Sequence, residues 1–480
     1  MSDNELKNKV LEFFTEISKI PRGSGNEKEI SDYMVKWAKE RKLEVIQDDT
    51  LNIIIRKPAS IGYENSPGVI LQGHMDMVCE SNKGTVHDFL KDPIKLRFEE
   101  DMVFATGTTL GADNGLGIAY AMAILADKSL KHPSLEVLMT VEEETTMKGA
   151  FAIDGALLEN RILLNLDSEE EGEFLVSSAG GTRCVLEYNF DRADIKGLET
   201  YKVFVGGLYG GHSGAEIEKG RANAIKLLAR VLSEIRNFSA VRICDINGGM
   251  KSNAIPREAE AVIAIKSGNE DKLKETVKGM EIAFKNEFFK NDNEVTVDIE
   301  RIGKIEDGMS SKDTKGLINT LLISPNGIQT MSGSIEGLVE SSTNLGVIRI
   351  EGNHVRMENE VRSSIGSLKH EIRERFLVLA DMTGCDFKIE SDYPQWEYKQ
   401  DSLIRNIFIS TYKEMYGTEP KIKAIHAGLE CGVLSGKLKG LDCISIGPNQ
   451  YDVHSPKEHY SISSSDRVYS FLIKALENLK

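Results

Sequence analysis

Pro67-Gly-Val-Ile-Leu-Gln-Gly-His-Met-Asp-Met-Val78 holds a short apolar run behind a Pro-Gly pair. The run, 69–72, reads as a buried strand entered from a turn. His74 and Asp76 follow it. Residues two apart on an extended segment point to the same side, so an imidazole and a carboxylate are presented together. Open α/β sheets bind ligands outside the carboxyl ends of their strands, which is where this pair stands. A carboxylate beside a metal-binding histidine commonly holds its second ring nitrogen. Alone, the pair is equally consistent with ordinary hydrogen bonding at a strand end.

Outward from this stretch, two more apolar strands end in the same manner. Residues 134–141 run into Glu142-Glu-Glu144, and residues 161–166 into Asp167-Ser-Glu-Glu-Glu171. Chance charge runs would not be confined to one end of successive strands. Between them, Phe104-Ala-Thr-Gly-Thr-Thr-Leu-Gly-Ala-Asp-Asn-Gly-Leu-Gly117 is a glycine-rich loop leading into a helix expected over 118–126. It lacks the Gly-Lys-Ser/Thr ending and the G-x-G-x-x-G order of phosphate loops. Asp113, just before that helix, reads either as a cap or as a ligand. Near the carboxyl terminus, His426-Ala-Gly-Leu-Glu-Cys-Gly432 is expected to open a helix, and a strand over 442–446 runs into a loop bearing His454.

The 480 residues exceed one ordinary core and imply two or three domains. With 40% hydrophobic and 28% charged residues the composition is that of a soluble globular protein. The net charge of −16 argues against nucleic-acid and anionic-membrane partners, which need a basic face. No apolar run reaches membrane-spanning length. The first residues lack a charged-then-apolar signal pattern. The six cysteines form no Cys-x-x-Cys pair and read as reduced thiols of a cytoplasmic protein.

The chain opens with an amphipathic helix expected over 5–20 (Leu6, Val10, Phe13, Phe14, Ile17), a Pro21-Arg-Gly-Ser-Gly25 interruption, and a second helix over 27–42. From about Tyr201 the texture changes to half-exposed alternating strands, a second glycine-rich loop around His212, and helices over 223–236, 271–289 and 367–382. Ser342-Thr-Asn344 echoes Ser252-Asn253, which suggests two similar halves. After residue 390 the first texture returns. The expected fold class is therefore α/β: residues 1–190 and 391–480 form one domain with a mixed sheet flanked by helices, and 191–390 form an inserted α+β domain.

His74, Asp113, Glu143, Glu144, Asp167 and His454 mix hard carboxylate oxygens with imidazole nitrogens, a donor set for Zn²⁺, Mn²⁺ or Co²⁺. Five ligands are too many for one catalytic zinc, which takes three. They suit two ions sharing one carboxylate. Such a pair activates a water and polarises a carbonyl, and the remaining glutamate can take the water's proton.

These motifs resemble those of the dinuclear-zinc peptidases related to carboxypeptidase G and aminoacylase, in particular their aminoacyl-histidine (Xaa-His, cytosol non-specific) dipeptidase branch. The resemblance rests on Gly73-His-Met-Asp-Met-Val78, Thr109-Leu-Gly-Ala-Asp-Asn-Gly115, Glu143-Glu144 before Gly149-Ala150, and Asn165-Leu-Asp-Ser-Glu169. It continues through Gly210-Gly-His-Ser-Gly214, Asn253-Ala-Ile-Pro-Arg-Glu258, the His426 run and His454-Ser-Pro456, in the family's order across nearly the whole chain. It implies that His74 and Asp167 bind one metal, Glu144 and His454 the other, and that Asp113 bridges. By the same resemblance Asp76 orients His74, and Glu143 is the general base. The inserted domain becomes a lid and a homodimerisation surface. His212 stabilises the oxyanion from its own or a partner subunit, while Asn253, Arg362 and the Gly428 backbone hold the substrate's termini.

One position departs from the family pattern. Thr146 stands where the family has glycine, two places after the metal-binding glutamate, and a β-branched residue disfavours positive φ. The implied activity is metal-dependent hydrolysis of unblocked dipeptides, Xaa-His and broader. An N-deacylase, a tripeptidase or a carboxypeptidase would use the same centre. A non-catalytic binding protein would have lost a ligand or Glu143, and a dimetal phosphoesterase would carry Arg or Lys beside the metals.

Overall fold

The computed structural model describes residues 3–480, with side chains from residue 9 onward; Leu6 of the opening helix has its side chain outside the described residues. The chain divides into two compact units. The first comprises Met1–Ser177, Tyr398–Ala424 and Leu429–Lys480, the second Ser178–Glu397 and Ile425–Gly428.

The first unit is built on an eight-stranded mixed sheet. Its order is Glu44–Gln47, Ile53–Lys57, Leu135–Thr140, Val69–His74, Ile162–Asn165, Asp442–Ser445, Glu173–Ser178, Lys421–Ile425. The four strands from Leu135–Thr140 to Asp442–Ser445 are mutually parallel. Every residue of these four is buried. Parallel strands covered on both faces read as continuous apolar runs rather than as alternation, and that is why 69–72 and 135–140 stand out in the sequence. Val69–His74 lies between Leu135–Thr140 and Ile162–Asn165, so the chain crosses it to reach the next strand. This reversal opens a crevice at the strands' carboxyl ends.

Helix Ala112–Ala126 packs on Val69–His74 and beneath Asp3–Ile17, and Lys28–Glu40 packs against the first two strands. Ala112–Ala126 starts earlier than the expected 118, because the chain is already helical at Ala112. However, Asp113 and Asn114 break the helical dihedrals, with ψ of 109° and 34°. The helix expected at His426 begins only at Glu430 and runs to Lys437. The opening helix stops at Ile17, ahead of Pro21.

The second unit carries a nine-stranded sheet in which each pairing is antiparallel. Helices Ala224–Arg236, Glu270–Glu287, Ser311–Ile323 and Gly366–Thr383 contribute the buried residues that close its core. The two segments that echo each other in sequence meet here: Asn344 Nδ2 donates to the carbonyls of Ser252 and Ala254, both at 2.9 Å.

Candidate metal centre

Strand ends set the centre. His74 closes Val69–His74 and is 1% exposed. Its Nδ1 faces the Asp76 backbone oxygen at 3.2 Å and Asp76 Oδ1 at 3.3 Å. With that nitrogen held, Nε2 is aimed at Asp113 Oδ1 (3.2 Å) and Asp167 Oδ1 (3.4 Å). Asp76 is itself tied down: Oδ1 accepts the Glu143 N–H at 3.0 Å, and Oδ2 accepts the Glu144 N–H and the Ser24 hydroxyl at 3.2 and 2.8 Å. One carboxylate therefore sets both a histidine and the glutamate turn. Burial opposes the Asp76 charge, but the bonds from His74, Ser24 and Glu143 hold its carboxyl below the usual range.

The other face of Asp113 meets a second histidine. His454 Nε2 lies 3.1 Å from Asp113 Oδ2 and 2.9 Å from Glu144 Oε2. Asp113 thus offers one oxygen to His74, which also meets Asp167, and the other to His454, which also meets Glu144. The potential ligand atoms of His74, Asp113 and Asp167 lie within 4.8 Å of one another, as do those of Asp113, Glu144 and His454. Asp113 is not a cap; no side chain of its own helix caps that end. Glu143 joins a third such group with His74 and Glu144, so the two neighbouring glutamates both approach His74, and Glu144 alone of the two is drawn onto His454. The turn that carries them places its left-handed residues at Glu142 (φ 51°) and Met147 (φ 53°), one on each side of Thr146, which is spared that conformation.

The residues present fit a pair of cations. Among the described residues the buried Glu144 Oε1 accepts no hydrogen bond, and the buried Asp167 Oδ1 has only the 3.4 Å approach of His74. A buried carboxylate oxygen left without a partner is costly, and a cation removes that cost. The field points the same way. Contacts with Asp113 and Glu144 push the His454 imidazole up to about 11. Burial opposes a charge on His74, yet Asp167, Asp113 and Asp76 raise it well above its ordinary value. Burial, with Asp167 and Glu430 nearby, likewise pushes Glu143 well up.

His212, Asn253, Arg362 and Gly428 all belong to the second unit. His212 pairs with Ala254 in a two-stranded ladder, and Ser213 N donates to Asn253 O at 2.9 Å, so the His212 and Asn253 segments are held together. His212 Nδ1 accepts from the Gly214 and Ala215 N–H groups at 3.2 and 2.9 Å, which leaves its proton on Nε2. Burial and Arg362 lower its pKa, keeping the ring neutral. A side chain at Gly214 would strike the His426 carbonyl and come within 3.1 Å of Arg362; only glycine lets these segments close up. Arg362 is buried, with Nη1 donating to the Tyr393 hydroxyl at 2.7 Å.

Three groups near the centre are not among the residues singled out in sequence. Glu458 accepts four N–H groups from Leu110 to Asp113. Arg22 donates to the Met75, Asp76 and Gly111 carbonyls. Glu430 is fully buried and accepts from Gln72 Nε2 at 2.5 Å and Thr140 Oγ1 at 2.7 Å, with burial pushing it up to about 7. Glu430 lies in the His426 run and Arg22 in the Pro21–Gly25 interruption, while Glu458 lies two residues beyond His454-Ser-Pro456.

The profile of peptidase family M20/M25/M40 matches residues 70–478. The chain belongs to that family. It is a metallopeptidase, and its ligand cluster lies within the matched region. It is 39% identical over 471 residues to the cytosol non-specific dipeptidase of Escherichia coli (strain K12), covering 98% of this chain and 97% of that one. The solved structure of aminoacylhistidine dipeptidase from Vibrio alginolyticus superposes with a TM-score of 0.93 at 38% identity, covering 98% and 96% of the two chains. An aminopeptidase, PepT, from Bacillus cereus shares the fold at 16% identity and a TM-score of 0.57, with 98% of each chain covered.

The raised histidines make a prediction. Metal ligation needs neutral imidazoles and ionised carboxylates, whereas the surroundings raise the proton affinity of His74, His454 and Asp167. Loading the centre should therefore release protons, and metal affinity should climb as pH rises. Calorimetric titration in buffers of different ionisation enthalpy measures this; binding without proton release would show that the histidines are neutral beforehand.

Proposed function

We propose that this chain is a dipeptidase that hydrolyses unblocked dipeptides, Xaa-His and broader, with two divalent metal ions per chain. The observation that carries the proposal is the Asp113 carboxylate, with one oxygen facing His74 and the other His454, while His74 also meets Asp167 and His454 also meets Glu144. The likeness to two dipeptidases over nearly the whole chain supports the substrate class. His74 and Asp167 hold one ion, Glu144 and His454 the other, and Asp113 both. The donor set suits Zn²⁺, with Mn²⁺ and Co²⁺ as alternatives. When bound, two such ions polarise the scissile carbonyl and lower the pKa of a water.

The chain's own groups do the rest. Asp76 keeps His74 turned. Glu143, assigned no metal in this reading, takes the proton of the attacking water and returns it to the leaving amine. His212 donates from Nε2 to the oxyanion, from its own or a partner subunit. Asn253, Arg362 and the Gly428 backbone hold the substrate's charged termini. In this reading the second unit is a lid and the homodimer surface, and the enzyme works in the cytoplasm on small peptides. The name of the Escherichia coli relative supports that location, and among the described residues no helix is long and apolar enough to cross a membrane.

A site that buries polar groups against both termini rejects a substrate lacking either one. The panel to run is Xaa-His dipeptides, their N-acetylated forms, tripeptides and N-acetyl amino acids. Dipeptides should be cleaved and blocked ones refused. Equal kcat/KM for a dipeptide and its acetylated form would point to an N-deacylase on this scaffold.

Glu143→Gln removes the base and keeps the shape. It should retain both metals, bind a dipeptide normally and lose kcat by ~10²–10⁴, the range for general-base catalysis. Glu144→Gln should instead weaken one metal, and excess metal should restore part of the activity. The reverse pattern would shift the assignment by one residue, to Glu142 as the next candidate.

A further inference from the structure

The Pro21–Gly25 interruption reads in sequence as a break between two helices. In the fold it reaches into the metal centre. Arg22 is 2% exposed. Its Nη1 donates to the Met75 and Asp76 carbonyls at 3.0 and 3.2 Å, and its Nη2 to the Gly111 carbonyl. The first two belong to the segment that follows His74, the third to the turn that carries Asp113. The Arg22 carbonyl in turn accepts the Met77 N–H at 3.1 Å. Ser24 of the same loop donates to Asp76, and Glu27 accepts the Glu142 N–H at 3.0 Å.

Glu458, also 2% exposed, holds the other side of the Asp113 turn. Its Oε2 accepts from Leu110 and Gly111 at 2.7 and 2.9 Å, and its Oε1 from Ala112 and Asp113 at 2.7 and 3.3 Å. A buried cation thus takes the turn's carbonyl, and a buried anion takes its amides. Free amides at a helix start are normally satisfied by caps or water; here one carboxylate accepts from Ala112 and Asp113, which open the helix, and from Leu110 and Gly111 just before it. The fit is also steric, since a Cβ at Gly111 or Gly115 would come to 2.6 Å from the Arg22 guanidinium.

We infer that Arg22, with Glu458 as its counterpart, is a positioning residue that fixes the Asp113 carboxylate relative to His74 and so sets the protein's affinity for both metal ions. This rests on the dinuclear reading above. The guanidinium fork is what the task requires: it reaches three carbonyls from two segments at once, whereas an ammonium is a point charge on a flexible stem. Groups that orient metal ligands typically govern affinity by about 10–100-fold. A merely structural buried cation would lower stability without touching metal affinity. Lys57 supplies that comparison, because its Nζ donates to the Ile124 and Asp127 carbonyls at the far end of the helix that begins at Ala112.

The test titrates Zn²⁺ against a competing chelator into the metal-free, full-length protein, with circular dichroism and thermal midpoints recorded for each variant. Arg22→Lys keeps the charge and loses the fork. Glu458→Gln keeps the size and loses the charge, and is the second variant should the first fail to fold. Each is expected to bind Zn²⁺ about 10–100-fold more weakly, while Lys57→Met lowers the midpoint and binds as the parent does. Parental affinity in a folded Arg22 or Glu458 variant overturns the proposal, and so does an equal loss in Lys57→Met. The parent is measured in the same titration: if it binds fewer than two ions, the dinuclear reading falls and this inference with it.

Discussion

The centre depends on one carboxylate that has to serve two histidines. Asp113 Oδ1 faces His74 and Oδ2 faces His454, groups 380 residues apart in the chain by subtraction of their numbers, 454 − 74. For both oxygens to be engaged, the Asp113 turn must stand at a fixed height above the parallel strands. The non-helical dihedrals at Asp113 and Asn114 present the side chain to the crevice instead of along the helix. Arg22 and Glu458 hold the same turn from its carbonyl and its amide sides. Among the described residues no lysine or arginine forms an ion pair with Asp113, Glu144 or Asp167, and a cation is the natural complement of these carboxylates.

Beneath the ligands lies a row of buried polar side chains, one from each of the parallel strands. Thr140 and Gln72 both donate to Glu430; Gln72 Oε1 accepts from Asn165 Nδ2 at 2.6 Å; Asn165 accepts from Ser445, whose hydroxyl also meets Ser168 at 2.8 Å. Hydrogen bonds in such a buried chain reinforce one another, although Glu430 Oε1 has no partner among the described residues. This one links the strand ends that carry His74, the glutamate turn and Asp167, so the ligand-bearing loops start from a common, fixed level.

Much of this was legible in the sequence because it is local. The buried parallel strands show as apolar runs, and the helix expected over 223–236 is found at Ala224–Arg236. The acidic and His-bearing strand ends follow from position alone, since parallel strands place their carboxyl ends on one side. What could not be read depends on contacts across long stretches of chain. Glu458 finds its amides some 345 residues away, and nothing in its neighbourhood distinguishes it from a surface glutamate. Arg22 sits in a glycine-rich break that, read locally, is a turn. The start of the helix at Ala112 was missed because Gly111, Gly115 and Gly117 look like loop residues; they are there to let Asn114, Arg22 and Met77 come close. In the second unit the echo between Ser252-Asn253 and Ser342-Thr-Asn344 reads in sequence as a sign of two similar halves; in the fold the two segments meet through Asn344, a contact the echo does not foretell.

The most direct measurement is metal content joined to X-ray absorption at the metal edge on the active, purified enzyme. The account predicts two ions per chain, with a metal–metal distance of about 3.5–4 Å and mixed nitrogen and oxygen neighbours. One tightly bound ion at full activity, or two ions without metal–metal scattering, would contradict a centre built around a shared Asp113.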